Sequence, residues 1–177
     1  MQGKLVRLRA YEKSDADALF RWFSDEEVTR WLEPPAFRSR AHQEKFIELA
    51  QASSDDAKYF AIETLDGKLV GDCGLRFIDW KSRKAEFFIT IGEKQFWGKG
   101  LGTDALRTVI RLAFDKMNLN RLWLTVLVDN PRAVRCYEKC GFVREGLMRQ
   151  ESYVDGKYRD VLLMALLRED YDRTRGA

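Results

Sequence analysis

The spacing of apolar residues changes character several times along the chain. KLVRLRAY, residues 4–11, sets Leu5, Val6, Leu8 and Ala10 in a short alternating run and predicts a first strand. SDADALFRWF then turns helical, with Ser14 and Asp17 spaced as a capping-box variant. DEEVTRWL predicts a short helix that stops before Pro34-Pro35. Ser39 is the predicted N-cap of a further helix running to about Ala52. The period then shortens: KYFAIET, the turn Asp66-Gly67 and KLVGDCGLRFIDW predict a hairpin, and RKAEFFITI a further strand.

A helical stripe follows, with Leu101, Ala105, Leu106, Val109, Ile110, Ala113, Phe114 and Met117 on one face. RLWLTVLV is almost continuously apolar and predicts a strand buried on both faces. NPRAVRCYEKCGF predicts a short helix, with Asn130 as N-cap, Pro131 in the first position and Gly141 at the stop. FVREGLMRQESYV and KYRDVLLMALL, joined by Asp155-Gly156, predict a last hairpin, and the polar tail REDYDRTRGA is expected to fray. The fold class that follows is α/β. It is one domain over residues 1–177 with its core at about 3–170, built on a mixed, mostly antiparallel central sheet flanked by helices.

Composition narrows the chemistry. The 31 Lys and Arg are interspersed with 28 Asp and Glu, giving a net charge of +3 without a basic block, so no nucleic-acid partner is expected. No apolar run approaches the roughly 20 residues of a membrane span, and the N-terminus lacks the apolar core of a signal peptide, so no membrane partner and a cytoplasmic location are expected. Cys73, Cys136 and Cys140 have no metal-like spacing, and His42 is the only histidine. A metal site and a histidine-activated nucleophile are therefore not expected. All three cysteines are read as small core residues.

The candidate chemistry starts in QFWGKGLGTDALR. Gly98, Gly100 and Gly102 lead straight into the helical stripe. A helix start leaves backbone N–H groups unpaired and carries partial positive charge, so it suits an anion, whereas a plain tight turn needs none. A P-loop would need Gly-x-x-x-x-Gly-Lys-Ser/Thr, and a dinucleotide turn would need Gly-x-Gly-x-x-Gly after a first strand. Neither pattern is present.

Gln95-x-x-Gly98-x-Gly100, after a strand and before an amphipathic helix, resembles motif A of the GNAT superfamily of N-acetyltransferases. DNPRAVRCYEKCGFVREG is similar to that superfamily's downstream segment, with Asn130, Ala133, Tyr137, Lys139, Gly141 and Phe142 in place. The closing hairpin resembles the subgroup that acetylates ribosomal-protein N-termini and polyamines. The resemblance covers about residues 3–170 and implies acetyl-CoA as co-substrate, without a metal. Its pyrophosphate would be held by backbone groups of Gln95, Phe96, Gly98, Lys99, Gly100, Leu101, Gly102 and Thr103. Its pantetheine arm would pair with Ile89, Thr90 and Ile91, a strand that splays from its neighbour in the family. Asn130, Arg132 and Arg135 are further cofactor candidates, although the two arginines equally suit a solvated helix face. The family often dimerises, so a homodimer is expected.

Acyl transfer to an amine needs a base, because an alkyl ammonium has a pKa of about 10.4, and an acid for the departing thiolate. Glu86 lies within an apolar strand, on the face shared with Phe88 and Thr90 and opposite Phe87, Ile89 and Ile91. It matches the family's base; its other reading is an exposed strand residue paired to Lys or Arg. Tyr137 matches the family's acid; its other reading is a packing aromatic. Cys136 beside it points elsewhere on the helix, which favours direct transfer in a ternary complex. Trp97 is read as packing its turn onto the sheet.

The acceptor is expected to be a protein N-terminal or small-molecule amine. Candidate lining residues are Trp31, Glu33, Phe37, Tyr59, Phe77, Tyr153 and Tyr158, of which Trp31, Glu33 and Tyr153 are the principal ones. TRWLEPPAF resembles the acidic loop of bacterial spermidine acetyltransferases, with Glu33 placed to bind an ammonium. Pro34-Pro35 depart from that loop's further acid. A polyamine acceptor and a non-catalytic acetyl-CoA sensor are the alternatives.

Overall fold

The computed structural model describes residues 1–32, 39–52 and 54–175. Seven strands form one sheet in the order β1-β2-β3-β4-β5-β7-β6. They are β1 (Val6–Arg9), β2 (Lys58–Thr64), β3 (Leu69–Asp79), β4 (Lys84–Ile91), β5 (Arg121–Leu127), β6 (Val143–Val154) and β7 (Lys157–Leu167). The helices are α1 (Ala16–Phe23), α2 (Glu26–Thr29), α3 (Arg40–Gln51), α4 (Leu101–Arg111), α5 (Pro131–Glu138) and α6 (Arg168–Arg175). Every strand pair is antiparallel except β4–β5, where α4 makes the crossover that a parallel pair requires. The expected mixed, mostly antiparallel sheet flanked by helices is what forms.

The parallel pair is short. Lys84, Ala85 and Glu86 pair with Arg121, Leu122 and Trp123, and no pairing continues beyond them. On its other edge, β4 stays paired to β3 as far as Ile91 opposite Gly71. Gly92 N–H donates to Val70 O at 3.0 Å. Counting back in steps of two, Thr90 and Phe88 address β3, while the peptide groups of Ile91, Ile89 and Phe87 face the gap beside β5. The splayed strand expected from the resemblance is therefore present, with an open edge at Ile89 and Ile91.

One face of the sheet is covered by α4. Leu106, Val109 and Ile110 pack there on Cys73, Leu75 and Phe87, all buried. Each such aliphatic side chain contributes roughly 1.5–3 kcal/mol by leaving water. The other face carries α1–α3, with Leu19, Trp22, Val28 and Ile47 packed around Tyr11 and Ala61.

Several local expectations shift. In the first strand Val6 and Leu8 face inward, whereas Leu5 is exposed. The capping box is Glu12–Asp15, and α1 begins at Ala16. Asp15 is buried and takes Arg9 at 2.7 and 2.9 Å as well as the Glu12 N–H, while Asp17 pairs with Arg40 at the surface. In β5, Leu122, Leu124 and Val126 are buried, but Trp123 and Thr125 are only partly covered because the sheet opens there. The tail does not fray up to Arg175. It forms α6, whose Tyr171 ring stacks on Phe114 at 5.0 Å and donates from its hydroxyl to Asp115.

Candidate active site

The glycine turn sits at the open edge of β4. Gly98 and Gly100 have φ of +75° and +83°, a left-handed conformation that side chains disfavour, and Gly100 caps α4. Gly102, in the first turn of α4, faces β4. A Cβ there would lie 3.7 and 3.8 Å from Ile91 and Ile89 side-chain atoms. The helix thus presents its unpaired N–H groups beside the strand's unpaired ones. Asp104 anchors the same turn from behind, accepting from the backbone N–H groups of Lys4, Leu5 and Val6 at 3.1, 2.7 and 3.1 Å.

A cleft of about 320 Å³ follows this edge. Of the expected cofactor residues, Ile89, Thr90, Ile91, Phe96, Gly98, Gly100, Leu101, Gly102, Thr103, Asn130, Arg132 and Arg135 line it. Gln95 and Lys99 do not: both side chains are exposed, and the Lys99 ammonium sits 5.4 Å over the Phe96 ring. Asn130 is committed to the α5 cap, its Oδ1 accepting from Ala133 N–H at 3.1 Å. Trp97 packs as expected, but it also lines the cleft. Its indole N–H donates to Ile91 O at 2.6 Å, and the Arg132 guanidinium lies 4.3 Å over its ring. An extended, amide-bearing chain ending in phosphates fits these donors, an unpaired strand edge followed by a helix start and two arginines.

A second cavity of about 400 Å³ opens on the α1–α3 side of the splay. Glu86, Phe88 and Thr90 line it, together with Phe87 and Ile89 from the other side of the strand. Tyr137 lines both cavities, and its buried ring meets Phe87 edge-on at 6.5 Å. Burial, with the neighbouring Cys136 and Cys140, raises the Tyr137 phenol well above its ordinary pKa, so it keeps its proton at neutral pH.

Glu86 has the arginine partner of its alternative reading but not the exposure. It is buried, yet both its oxygens are paired to Arg76, with Nε to Oε2 at 2.6 Å and Nη2 to Oε1 at 2.8 Å. Arg76 and Glu86 are direct cross-strand partners, a relationship set by register and invisible in sequence. A carboxylate offers about four lone-pair sites, so a bidentate arginine still leaves it able to accept from an amine or water. Asp72 was missed altogether. It is buried in the same cavity and accepts from the Tyr11 hydroxyl at 3.1 Å. Its signal was the alternation of Asp72, Gly74 and Arg76 along β3, on the face of Glu86.

The cysteines also divide. Cys73 is core, but Cys136 and Cys140 are only half-buried, and Cys136 lines the first cleft with its Sγ 3.2 Å from Thr103 Oγ1. Cys136 and Tyr137, adjacent in the last turn of α5, both line this cleft. A hydrogen bond from the Cys140 thiol, helped by Thr103 and by the charges of Arg107 and Lys139, lowers the Cys136 thiol to about 6 against the opposing effect of burial. The same bond pushes Cys140 up.

Among the acceptor candidates, Trp31 lines the first cleft and Tyr59 the second. Phe77, Tyr153 and Tyr158 are exposed and line neither. Tyr153 and Tyr158 pack edge-on at 5.0 Å near the β6–β7 turn, because β6 is the outer strand of the sheet. Glu33 and Phe37 lie outside the described residues. Among the described residues no three His, Cys, Asp or Glu side chains gather as a metal site would need, and no helix is long and apolar enough to cross a membrane.

Comparison with known proteins agrees with this geometry. Residues 6–143 match the model of the acetyltransferase (GNAT) domain family. The chain is 32% identical over 172 residues to a spermidine N(1)-acetyltransferase of Vibrio cholerae, covering 94% of this chain and 95% of that one. It is 29% identical to the putative ribosomal N-acetyltransferase YdaF of Bacillus subtilis, covering 94% and 93%. A crystal structure of the Vibrio cholerae spermidine N-acetyltransferase with CoA and spermine superposes with a TM-score of 0.86 at 30% identity, covering 94% of this chain and 97% of that one. The chain belongs to the GNAT acetyltransferase family and is an acetyl-CoA-dependent N-acetyltransferase acting on an amine.

Proposed function

We propose that transfer is direct, in a ternary complex, with Glu86 as base, Tyr137 as acid and a protein N-terminal or small-molecule primary amine as acceptor. One observation carries this reading: Tyr137, with Leu32, Ile89 and Thr90, lines both the cleft beside the glycine turn and the cavity that holds Glu86. Acetyl-CoA, when bound, supplies an activated acetyl thioester. The peptide groups of Ile89 and Ile91 orient the pantetheine arm, the N–H groups of Leu101, Gly102 and Thr103 the pyrophosphate, and Arg132 and Arg135 another phosphate. Glu86 takes the proton from the acceptor's ammonium, directly or through water. Tyr137, kept protonated by burial, gives a proton to the departing sulfur. Trp31 supports the junction from α2's side, packed near Leu127 and Val154.

A polyamine acceptor is the second reading. It is favoured by two carboxylates in the acceptor cavity, Asp72 and Glu86, and by the likeness to the spermidine enzyme. The chain is also proposed to form a homodimer through the β6–β7 hairpin, where Val143, Leu147, Tyr153 and Tyr158 are exposed apolar residues. Free-thiol release from acetyl-CoA tests the whole proposal against spermidine, spermine, peptides with free N-termini, amino acids and an aminoglycoside. Release with one class names the acceptor. Tight acetyl-CoA binding without release across the panel would favour a sensor instead, and absence of binding would overturn the assignment of the glycine turn.

A further inference from the structure

Cys136 and Cys140 take no part in the transfer proposed above, yet they stand beside it. Their sulfurs converge on one residue in the first turn of α4. Cys136 Sγ lies 3.2 Å from Thr103 Oγ1, and Cys140 Sγ lies 3.9 Å from Thr103 O. Thr103 is one of the residues whose N–H groups are assigned to the pyrophosphate. Cys136 lines the cleft and Cys140 does not. The Arg107 side chain reaches from α4 to the Lys139 carbonyl at 3.4 Å, which brings a guanidinium close to the pair.

Packing needs none of this, because a small apolar side chain at each position would fill the same space between α4 and α5. A thiol that accepts a hydrogen bond from a second thiol, with Arg107 and Lys139 near it, is held toward the thiolate, the form that attacks sulfur. Fully buried Cys73 is the contrast: burial pushes its thiol up.

Two observations say what reacts there. One is the spacing of the pair. The Cys140 N–H bonds back to Tyr137 O at 2.9 Å, which keeps the residue in the closing turn of the helix. Side chains four apart on a helix hold their Cβ atoms about 5–6 Å apart, whereas a disulfide needs about 3.5–4.5 Å. Cys140 is therefore placed to donate to Cys136 and not to close a ring with it, so the reaction partner comes from outside. The other is charge. Among the described residues, the cleft is lined by Arg132, Arg135 and Lys139 and by no Asp or Glu. Asp104, the acid in the first turn of α4, is committed to the N–H groups of Lys4, Leu5 and Val6. Such a cleft draws in an anionic reagent and repels a cationic one.

We propose that Cys136 is a site of reversible modification by an anionic low-molecular-weight disulfide, in competition with acetyl-CoA, with Cys140 as its positioning residue. The Cys136 proton passes to solvent and its sulfur attacks one sulfur of the reagent. A new S–S bond replaces the old one, and the other half of the reagent leaves as a thiolate. Cys136 is oxidised, the departing half is reduced, and excess thiol reverses the exchange. The adduct stands in the cleft against Thr103 and excludes acetyl-CoA, while bound acetyl-CoA shields the sulfur to the same degree. The competition rests on the assignment of the glycine turn to the pyrophosphate.

Glutathione disulfide and the cationic disulfide cystamine test it, each offered to the whole protein at equal concentration, with intact mass and peptide mapping as the readout. The expected product is one glutathione per chain, on Cys136, formed about tenfold or more faster than the cystamine adduct and removed by dithiothreitol. Cys140→Ala should slow the exchange by about tenfold near pH 6, where only a lowered thiol stays ionised, and Cys140→Ser, which keeps a donor, should retain part of the rate. Calorimetry should find acetyl-CoA bound about tenfold or more weakly by the modified protein. An internal Cys136–Cys140 disulfide, an adduct on Cys140, equal or faster reaction with cystamine, or undiminished acetyl-CoA binding after modification would each overturn the proposal. If the unmodified protein binds no acetyl-CoA, the assignment of the glycine turn fails, and the mass measurements still decide whether Cys136 is the site.

Discussion

Trp97 donates its indole N–H to the carbonyl of Ile91 at 2.6 Å, and so closes the far end of the open strand edge. The strand exposes peptide groups at Phe87, Ile89 and Ile91, and Trp97 occupies the last acceptor among them. The same ring supports the Arg132 guanidinium at 4.3 Å. Trp97→Phe keeps a ring but removes the hydrogen bond. The expected outcome is a loss of about 1 kcal/mol in stability by denaturant unfolding, and acetyl-CoA binding weakened by roughly threefold to tenfold in calorimetry.

Tyr137 is expected to matter for chemistry more than for binding. Tyr137 lines both cavities, and its phenol retains its proton at neutral pH. Tyr137→Phe preserves the packing on Phe87 and Phe142. We expect kcat to fall by about a hundredfold, with the dissociation constant of acetyl-CoA changed by less than about threefold. An equal fall in both would indicate a packing role only.

Gly102 separates cofactor binding from folding. A methyl group there meets Ile91 and Ile89 at ordinary contact distances of 3.7 and 3.8 Å, and no strained φ opposes it. Alanine is also the better helix former by about 1 kcal/mol. Gly102→Ala should therefore unfold no earlier than the parent in a thermal scan. It narrows the gap between α4 and β4, so acetyl-CoA affinity should drop by about tenfold, a little over 1 kcal/mol.

Cys136 offers a readout by pH. Its thiol is lowered by the hydrogen bond from Cys140, so the thiolate persists to lower pH than in an ordinary cysteine. Alkylation by iodoacetamide should rise with pH to a midpoint below the usual value of about 8.5, with acetyl-CoA slowing it. Cys140→Ala removes the largest lowering influence and should move that midpoint upward. Peptide mapping assigns the label, because fully buried Cys73 should stay unmodified in the folded protein.

Asp104 is expected to carry stability. Its buried carboxylate accepts three backbone N–H groups that lead into the edge strand β1. Asp104→Ala leaves those donors without their partner at the start of the sheet. The expected loss is about 2–4 kcal/mol in denaturant unfolding, and exchange of the Val6 amide should become much faster.

Much of this was already fixed by residues close together in the chain. Periodicity located α4 and the hairpins, because an amphipathic stripe and an alternating run each depend on local spacing alone. Asn130, Pro131 and Gly141 bounded α5 for equally local reasons of capping and backbone freedom. The two glycine- and tyrosine-bearing motifs pointed to residues that line one cleft. Pairings across space were another matter. The partner of Glu86 is Arg76 because β3 and β4 align in one register, and a slip of one residue would turn Arg76 to the opposite face. Asp72 enters the second cavity, and Tyr153 stays out of both, because strand order sets β3 beside the splay and β6 at the outer edge. Cys136 reaches the cleft because α5 packs against the start of α4. Elements and motifs follow from causes local in the chain. Which charged side chains meet beside the splay depends instead on register and on the distance over which the two central strands part.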